Sequence, residues 1–415
     1  MAARREVDFL LIGGGIAAAN CARTLREEGA AGSILLVGRE KDPPYHRPPA
    51  TKTYLEGRST REDALVWPAG WWEENHVELL TQTSVMGLEL ETRVAKLQSK
   101  EEIHFGRALV ATGAMVRRLN VEGAGADAIH YLRALGNVDA LRRDLDGAER
   151  VVIVGGSYIG CEVAASLTAL GHACTIVMQE EATLERGFGA RVGRFFQAAL
   201  EERGVEVVGG EEVERFEADG ERVRAVVTRS GRELAADAVV AGVGALPDVM
   251  LARRSGLELG ELGGVRTSAS LETSAPGVYA AGDMCEYHSV VHDREMRIEH
   301  EHVAFAQGAT AARNMLGRGL AHEEVPYFFS DLSDWASLEY VGPAAAWDEE
   351  VVRGSMEDGR FSVFYLERGR VRAALSVGRA EDLDHARRLI ASRADVGARR
   401  AELADLGSDL ASLGR

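Results

Sequence analysis

Phe9-Leu10-Leu11-Ile12-Gly13-Gly14-Gly15-Ile16-Ala17-Ala18 opens with an apolar run, turns through three glycines and enters an alanine-rich helix. That helix is expected to reach Gly29, with Ser33-Ile34-Leu35-Leu36-Val37 as the next strand. The same order recurs further on. Val151-Val152-Ile153-Val154 leads into Gly155-Gly156-Ser157, a helix ending near Gly171, and the strand Ala173-Cys174-Thr175-Ile176-Val177. Continuous apolar runs of this kind suit parallel strands buried on both faces. The repetition predicts two nucleotide-binding α/β domains.

A dinucleotide's pyrophosphate needs backbone N–H groups exposed at a helix N-terminus, where aligned peptide dipoles favour negative charge. The first glycine allows the tight turn, the second lets backbone approach phosphate, and the third position must be small for helix–strand packing. Gly13-x-Gly15-x-x-Ala18 meets this requirement directly after an apolar strand, the setting the motif needs. Gly155-x-Ser157-x-x-Gly160 departs at the middle position. Ser157 adds a Cβ and a hydroxyl there, so the expectation is a retuned site, against the alternative of a turn that no longer binds nucleotide.

An acidic residue about 20 residues further on should accept a hydrogen bond from the ribose. In the first copy Glu40 is the candidate, with Arg39 near the adenosine. In the second, Glu180 and Glu181 follow the strand. A carboxylate suits the free ribose of NADH and repels the 2′-phosphate of NADPH. NADH is the expected donor, and Arg186 leaves NADPH possible.

Length and composition bound the rest. The 415 residues suit two or three domains of ordinary globular composition, with 46% hydrophobic and 27% charged residues. A formal net charge of −17 argues against nucleic acid and acidic membranes as partners. No apolar stretch reaches the roughly 18–20 residues of a membrane span. Asp8 interrupts the N-terminal apolar run and a glycine turn follows at once, so this run is read as a strand of a cytoplasmic protein rather than a signal peptide. Cys21, Cys161, Cys174 and Cys285 form no close pair, so neither a disulfide framework nor a metal site is expected. From about residue 324 alternating strands take over, with a hairpin at Phe361–Leu366 and Val371–Leu375. A charged helical tail starts near Glu381.

Taken with Pro44-Tyr45-His46-Arg47-Pro48-Pro49-Ala50-Thr51-Lys52, Ala111-Thr112-Gly113, Gly155 through Glu162 and Thr273 through Asp283, the chain resembles the FAD-dependent pyridine-nucleotide oxidoreductases. The likeness is to their ferredoxin-reductase and apoptosis-inducing-factor branch. It implies two Rossmann-like, doubly wound domains of glutathione-reductase type and a smaller α+β C-terminal domain. The expected FAD-binding domain is discontinuous, 1–115 and 247–323. The NAD(H)-binding domain spans 116–246 and the C-terminal domain 324–415.

The resemblance also implies residue roles. Lys52 pairs with Glu162 beside the reactive edge of the flavin, and these two are the catalytic candidates. Gly13, Gly14, Gly15, Ile16, Ala17, Arg39 and Glu40 fall to FAD. So do Arg47 and Arg133, Val85 on the adenine side, and Asp283 at the ribityl chain. His300, Glu301 and Phe329 are also placed around FAD, Phe329 where relatives often carry tryptophan. The nicotinamide nucleotide takes Gly156, Ser157, Tyr158, Ile159, Glu162, Glu180, Arg186, Gly244, Glu299 and Glu339. His300-Glu301-His302 carries a His-x-His spacing, but no third ligand is evident nearby.

With no cysteine pair near Lys52, electrons are expected to leave from the flavin itself. The leading expectation is a reductase for a small ferredoxin or rubredoxin. Small ferredoxins are commonly acidic, so a local basic patch would be required, with Arg117-Arg118 and Arg142-Arg143 as candidates. The alternatives are a redox-responsive binding protein like apoptosis-inducing factor, which oxidises NADH slowly and changes its assembly, and a general NADH oxidase or quinone or dye reductase. Monomer and homodimer both stay open.

Overall fold

The computed structural model describes residues 5–414, which divide into two compact units. The first unit joins the chain up to His46, Glu62–Met115 and Leu246–Phe328. The second joins Arg47–Arg61, Val116–Ala245 and the chain from Phe329 onward.

The first unit is built on a seven-stranded sheet. β1 (Arg5–Ile12), β2 (Ile34–Val37) and β3 (Val77–Leu80) run parallel, and β6 (Glu102–Val110) lies parallel to β1 on its other side. β5 (Val94–Leu97) and β4 (Val85–Glu89) continue the sheet antiparallel from β6, while Val278–Ala280 pairs with β6 in parallel. Leu10, Leu11, Leu35 and Leu36 are fully buried, as strands covered on both faces require. Helix α1 (Ile16–Glu27) packs against the helix Glu301–Met315. The two approach so closely that a Cβ on Gly308 would lie 2.2 Å from the Ala17 carbonyl oxygen. Asn20 Nδ2 also donates across this seam to Phe305 O at 2.7 Å. α1 stops at Glu27, short of the expected Gly29. Gly29 takes φ +84°, a left-handed position that ends a helix and that glycine adopts without steric cost.

The second unit contains two sheets that matter here. In the parallel one the order is Glu206–Val208, Ala173–Val177, Arg150–Val154, Ala238–Ala241, Ile129–His130. The helix Tyr158–Ala169 follows its central strand, repeating the β1–α1 arrangement. The other sheet has the order Tyr327–Leu332, Ala336–Val341, Arg370–Val377, Arg360–Glu367, Glu349–Ser355. Arg360–Glu367 and Arg370–Val377 form the expected hairpin. Arg368 (φ 51°) and Gly369 (φ 74°) are both left-handed, the turn whose twist matches a strand pair. Phe361, Phe364 and Tyr365 are wholly buried in this sheet, and the helix Ala380–Ser392 packs on Arg370–Val377. The architecture is α/β with Rossmann-like parallel sheets and a C-terminal antiparallel sheet, as the sequence led us to expect. Among the described residues no helix is long and apolar enough to cross a membrane.

Candidate active site

In the first unit the glycine turn stands between β1 and α1. Gly13 takes φ +127°, and a Cβ there would lie 2.0 Å from Ala111 O, so only glycine fits. Gly14 packs on Gly38, its notional Cβ 3.4 Å from that Cα. Gly15 meets nothing within 4 Å and is the N-cap of α1, with no side-chain cap and no acidic residue in the first turn. The first N–H groups of the helix, those of Ile16 and Ala17 among them, are thus left without a side-chain cap, the arrangement a pyrophosphate fits. Gly282 N donates to Gln307 Oε1 at 2.8 Å, which leaves Gln307 Nε2 buried without a partner. A buried donor in this state costs free energy unless a ligand or water accepts from it.

Beyond β2, Arg39 Nη1 donates to Asp248 Oδ2 at 2.8 Å, and Tyr45 Oη donates to Glu40 Oε2 at 2.5 Å. Asp248 is held in turn, its N–H bound to Gly113 O at 2.8 Å and its carbonyl accepting from Thr112 Oγ1 at 2.6 Å. Val85 opens β4. Arg297 pairs with Glu299 at 2.5 Å and donates to Asp283 O at 3.0 Å. His46 Nδ1 and Glu301 Oε1 lie 2.8 Å apart, and this contact raises the His46 pKa above the ordinary imidazole value. His300 behaves oppositely. Burial pushes its pKa down to about 4, its Nδ1 has no partner, and its ring lies 4.4 Å from that of Phe328. Among the described residues no group of three or more His, Cys, Asp or Glu could hold a metal ion.

In the second unit Gly155 takes φ +106°, where a Cβ would lie 2.5 Å from Gly242 O. A Cβ on Gly160 would reach 1.9 Å from Gly155 O, so the third glycine sets how closely helix and strand pack. Ser157 is the N-cap of the Tyr158–Ala169 helix without capping it; its hydroxyl points back to Gly242 O at 3.4 Å. The first turn lacks acidic residues, so this helix end also fits a phosphate. Gly156 is buried and Ile159 is exposed. Glu180 is ion-paired with Arg186. Gly244 (φ +103°) accepts from Arg117 N at 3.0 Å, and Glu339 lies opposite Ser376 in the C-terminal sheet.

The same unit holds a compact charged cluster. Lys52 Nζ lies 3.3 Å from Glu162 Oε1, 3.2 Å from Asp331 Oδ2 and 4.8 Å from the centre of the Phe329 ring. Thr51 Oγ1 and Ser330 Oγ each donate to Glu162 at 2.6 Å, so both carboxylate oxygens are engaged. Ser337 Oγ holds the other oxygen of Asp331 at 2.7 Å. Arg47 Nη1 donates to Arg133 O at 2.6 Å. Sequence reasoning singled out Lys52, Glu162 and Phe329 but not Thr51, Ser330 or Asp331. Thr51 directly precedes Lys52, and Ser330 and Asp331 directly follow Phe329.

All four cysteines are free and buried, and burial raises each thiol pKa, that of Cys174 to about 11. None is a ready thiolate. Of the basic candidates, Arg118 lies over the Tyr131 ring at 5.1 Å and Arg142 and Arg143 are exposed.

Comparison with known proteins agrees with this geometry. The pyridine nucleotide-disulphide oxidoreductase family matches residues 7–308, and the reductase C-terminal family matches 327–414. The chain therefore belongs to the pyridine nucleotide-disulphide oxidoreductase family. Putidaredoxin reductase of Pseudomonas putida is 33% identical over 394 residues, covering 94% of this chain and 93% of its own. The ferredoxin–NAD(+) reductase component of the biphenyl dioxygenase system of Paraburkholderia xenovorans is 34% identical, with 97% of each chain covered. A ferredoxin reductase structure from Rhodopseudomonas palustris superposes with a TM-score of 0.93 at 31% identity, over 98% of this chain and 100% of that one. Within the family the chain is a flavin-dependent oxidoreductase of the ferredoxin-reductase type.

Proposed function

We propose that the chain holds FAD at the Gly13–Gly15 turn and NADH at the Gly155–Gly160 turn, and passes electrons to a small ferredoxin- or rubredoxin-type carrier. The assignment of residues 1–115 and 247–323 to FAD, 116–246 to NADH and 324–415 to a C-terminal domain belongs to this proposal, as does a cytoplasmic location. One observation carries it: each turn contains a glycine whose Cβ would strike backbone, at the foot of a helix with no side-chain cap or first-turn acid.

The bound flavin would supply the hydride acceptor and the step from two-electron to one-electron chemistry. The protein's share is binding, orientation and charge. α1 and the Tyr158–Ala169 helix would supply N–H donors to the two pyrophosphates. Glu180 would accept from the NADH ribose, and Arg186 pairs with it at the surface. Lys52 is the cation that the family resemblance sets beside the flavin. Glu162 and Asp331 hold it in one place, so it need not reorganise when negative charge arrives. The buried cysteines leave no thiol to intercept the electrons.

Anaerobic titration of the purified protein with NADH, followed by the visible flavin spectrum, tests this. The expected result is yellow protein that bleaches with about one equivalent of NADH and recovers its colour when an oxidised ferredoxin is added. Colourless protein that cannot be reconstituted with FAD overturns the proposal. A persistent long-wavelength charge-transfer band, without transfer to any one-electron carrier, points instead to a binding protein. NADPH at least tenfold more efficient than NADH would overturn the role of Glu180.

A further inference from the structure

One short segment of the second unit is tied to the nucleotide turn from one side and to the C-terminal sheet from the other. It runs from Leu184 to Gly189 and is bounded by two left-handed residues, Leu184 at φ 58° and Gly189 at φ 83°. Glycine takes such a conformation freely, but a buried leucine does so only under constraint from its surroundings. The constraint is visible: Leu184 N donates to Gly156 O, a carbonyl of the nucleotide turn itself, at 2.7 Å. Arg186 pairs with Glu180. Gly187 faces Tyr158, and a Cβ there would come within 2.9 Å of the Tyr158 hydroxyl. Phe188 is wholly buried and its ring meets that of Tyr158 edge-on at 5.7 Å. The segment therefore touches the turn, the ribose carboxylate and the aromatic ring that opens the nucleotide-binding helix.

The C-terminal sheet grips the far end. Tyr365 Oη donates to Phe188 O at 3.0 Å, and the Tyr340 ring lies 5.2 Å from the Phe188 ring. Gly189 breaks the helix, and a Cβ there would lie 2.6 Å from Glu350 Oε1 and 3.2 Å from the Trp347 ring. Trp347 in turn packs edge-on against Tyr365 at 4.7 Å and donates from Nε1 to Glu350 at 3.0 Å. The Tyr365 ring is fully buried, so its hydroxyl is committed to this bond.

We propose that Tyr365 is a positioning residue for the nicotinamide nucleotide, acting through the 184–189 turn: it fixes Phe188, Phe188 backs Tyr158, and Leu184 braces the Gly156 carbonyl. The C-terminal sheet thus sets the affinity of a nucleotide it does not bind. This rests on Gly155–Gly160 being the NADH turn.

Tyr365→Phe keeps the ring and its contacts with Trp347 and Tyr340 while removing the bond to Phe188. The holoenzyme is assayed with NADH and a dye acceptor, and ADP-ribose affinity is measured by calorimetry. The expected result is KM for NADH raised about fivefold, the effect of one buried hydrogen bond, with kcat within about twofold and FAD content unchanged. ADP-ribose affinity should fall by a similar factor. Gly189→Ala, which disturbs the same grip from the other side, should raise KM in the same direction. If KM and ADP-ribose affinity stay within about twofold in Tyr365→Phe while only the melting temperature falls, the residue is merely structural and the proposal fails. If wild-type protein binds neither NADH nor ADP-ribose, the underlying assignment fails instead.

Discussion

Lys52 and Glu162 lie 3.3 Å apart, yet Glu162 is shared with two hydroxyl donors and Lys52 with a second carboxylate, Asp331. The lysine is thus held by two acids, and removing either one leaves it a partner. The prediction is asymmetric. Lys52→Met should lower kcat for NADH-driven dye reduction by roughly 100-fold, the scale of one preorganised electrostatic group, with FAD retained. Glu162→Gln keeps the size and an acceptor for Thr51, and should cost only about tenfold. Stopped-flow flavin reduction separates the two. Equal loss in both variants would mean that the pair acts as a unit rather than through the cation.

The two glycine turns should fail independently. Gly13→Ala drives a Cβ to 2.0 Å from Ala111 O, so this variant should purify without yellow colour. Gly155→Ala meets Gly242 O at 2.5 Å in the second turn, so it should stay yellow while KM for NADH rises by at least tenfold, about 1.4 kcal/mol. Absorbance ratios and steady-state kinetics check both. Loss of FAD in Gly155→Ala would contradict the division of labour.

These glycines were legible because their need is local: a tight turn after an apolar strand demands them whatever else the chain does. Lys52 and Glu162 were reachable only through the family resemblance, since nothing in their immediate sequence dictates a pairing. Asp248 as the partner of Arg39, and Asp331 as the second partner of Lys52, were not legible at all. Each joins segments far apart in the chain, and only the folded topology decides which arginine or lysine meets which aspartate. The early end of α1 was missed for a smaller reason. Glycine marks the residue past a helix end, and Gly29 was counted as part of the helix itself.

The contact of His46 with Glu301 predicts a pH response. A hydrogen bond to Glu301, the largest influence, raises the folded-state pKa of His46 above the unfolded value near 6.5. The stability it contributes is fully present below that unfolded value and is lost as pH rises through the folded one. The imidazole side chain is 41% exposed, so solvent screening keeps the contribution below about 1 kcal/mol. NMR titration should show His46 titrating above 6.5 and Glu301→Gln bringing it back down. An unshifted His46 in the wild type would show that the contact does not persist in solution.

Arg353 makes the strongest stability prediction, because it is a buried cation that organises the end of the chain. It is 5% exposed, and its Nε lies 3.3 Å from Asp382, itself 2% exposed. Its other nitrogens donate to the carbonyls of Leu403 at 3.3 Å and Ser408 at 3.1 Å, and to that of Asp405. Arg353→Met would withdraw the guanidinium from those carbonyls, of which that of Asp405 keeps the Ser408 N–H at 3.0 Å. Asp382 would keep Arg379, at 2.7 Å, and the Ser362 hydroxyl, at 2.8 Å, so no carboxylate is stranded. The cost should therefore fall at the lower end of the range for breaking a buried pair, about 3 kcal/mol. Urea unfolding reads that loss, and limited proteolysis should show new cleavage within residues 402–408. Asp382→Asn removes the anion but leaves Arg353 its carbonyl acceptors, so its loss of stability should come without the new cleavage. If both variants are cut alike, the ion pair rather than the carbonyl contacts holds the tail.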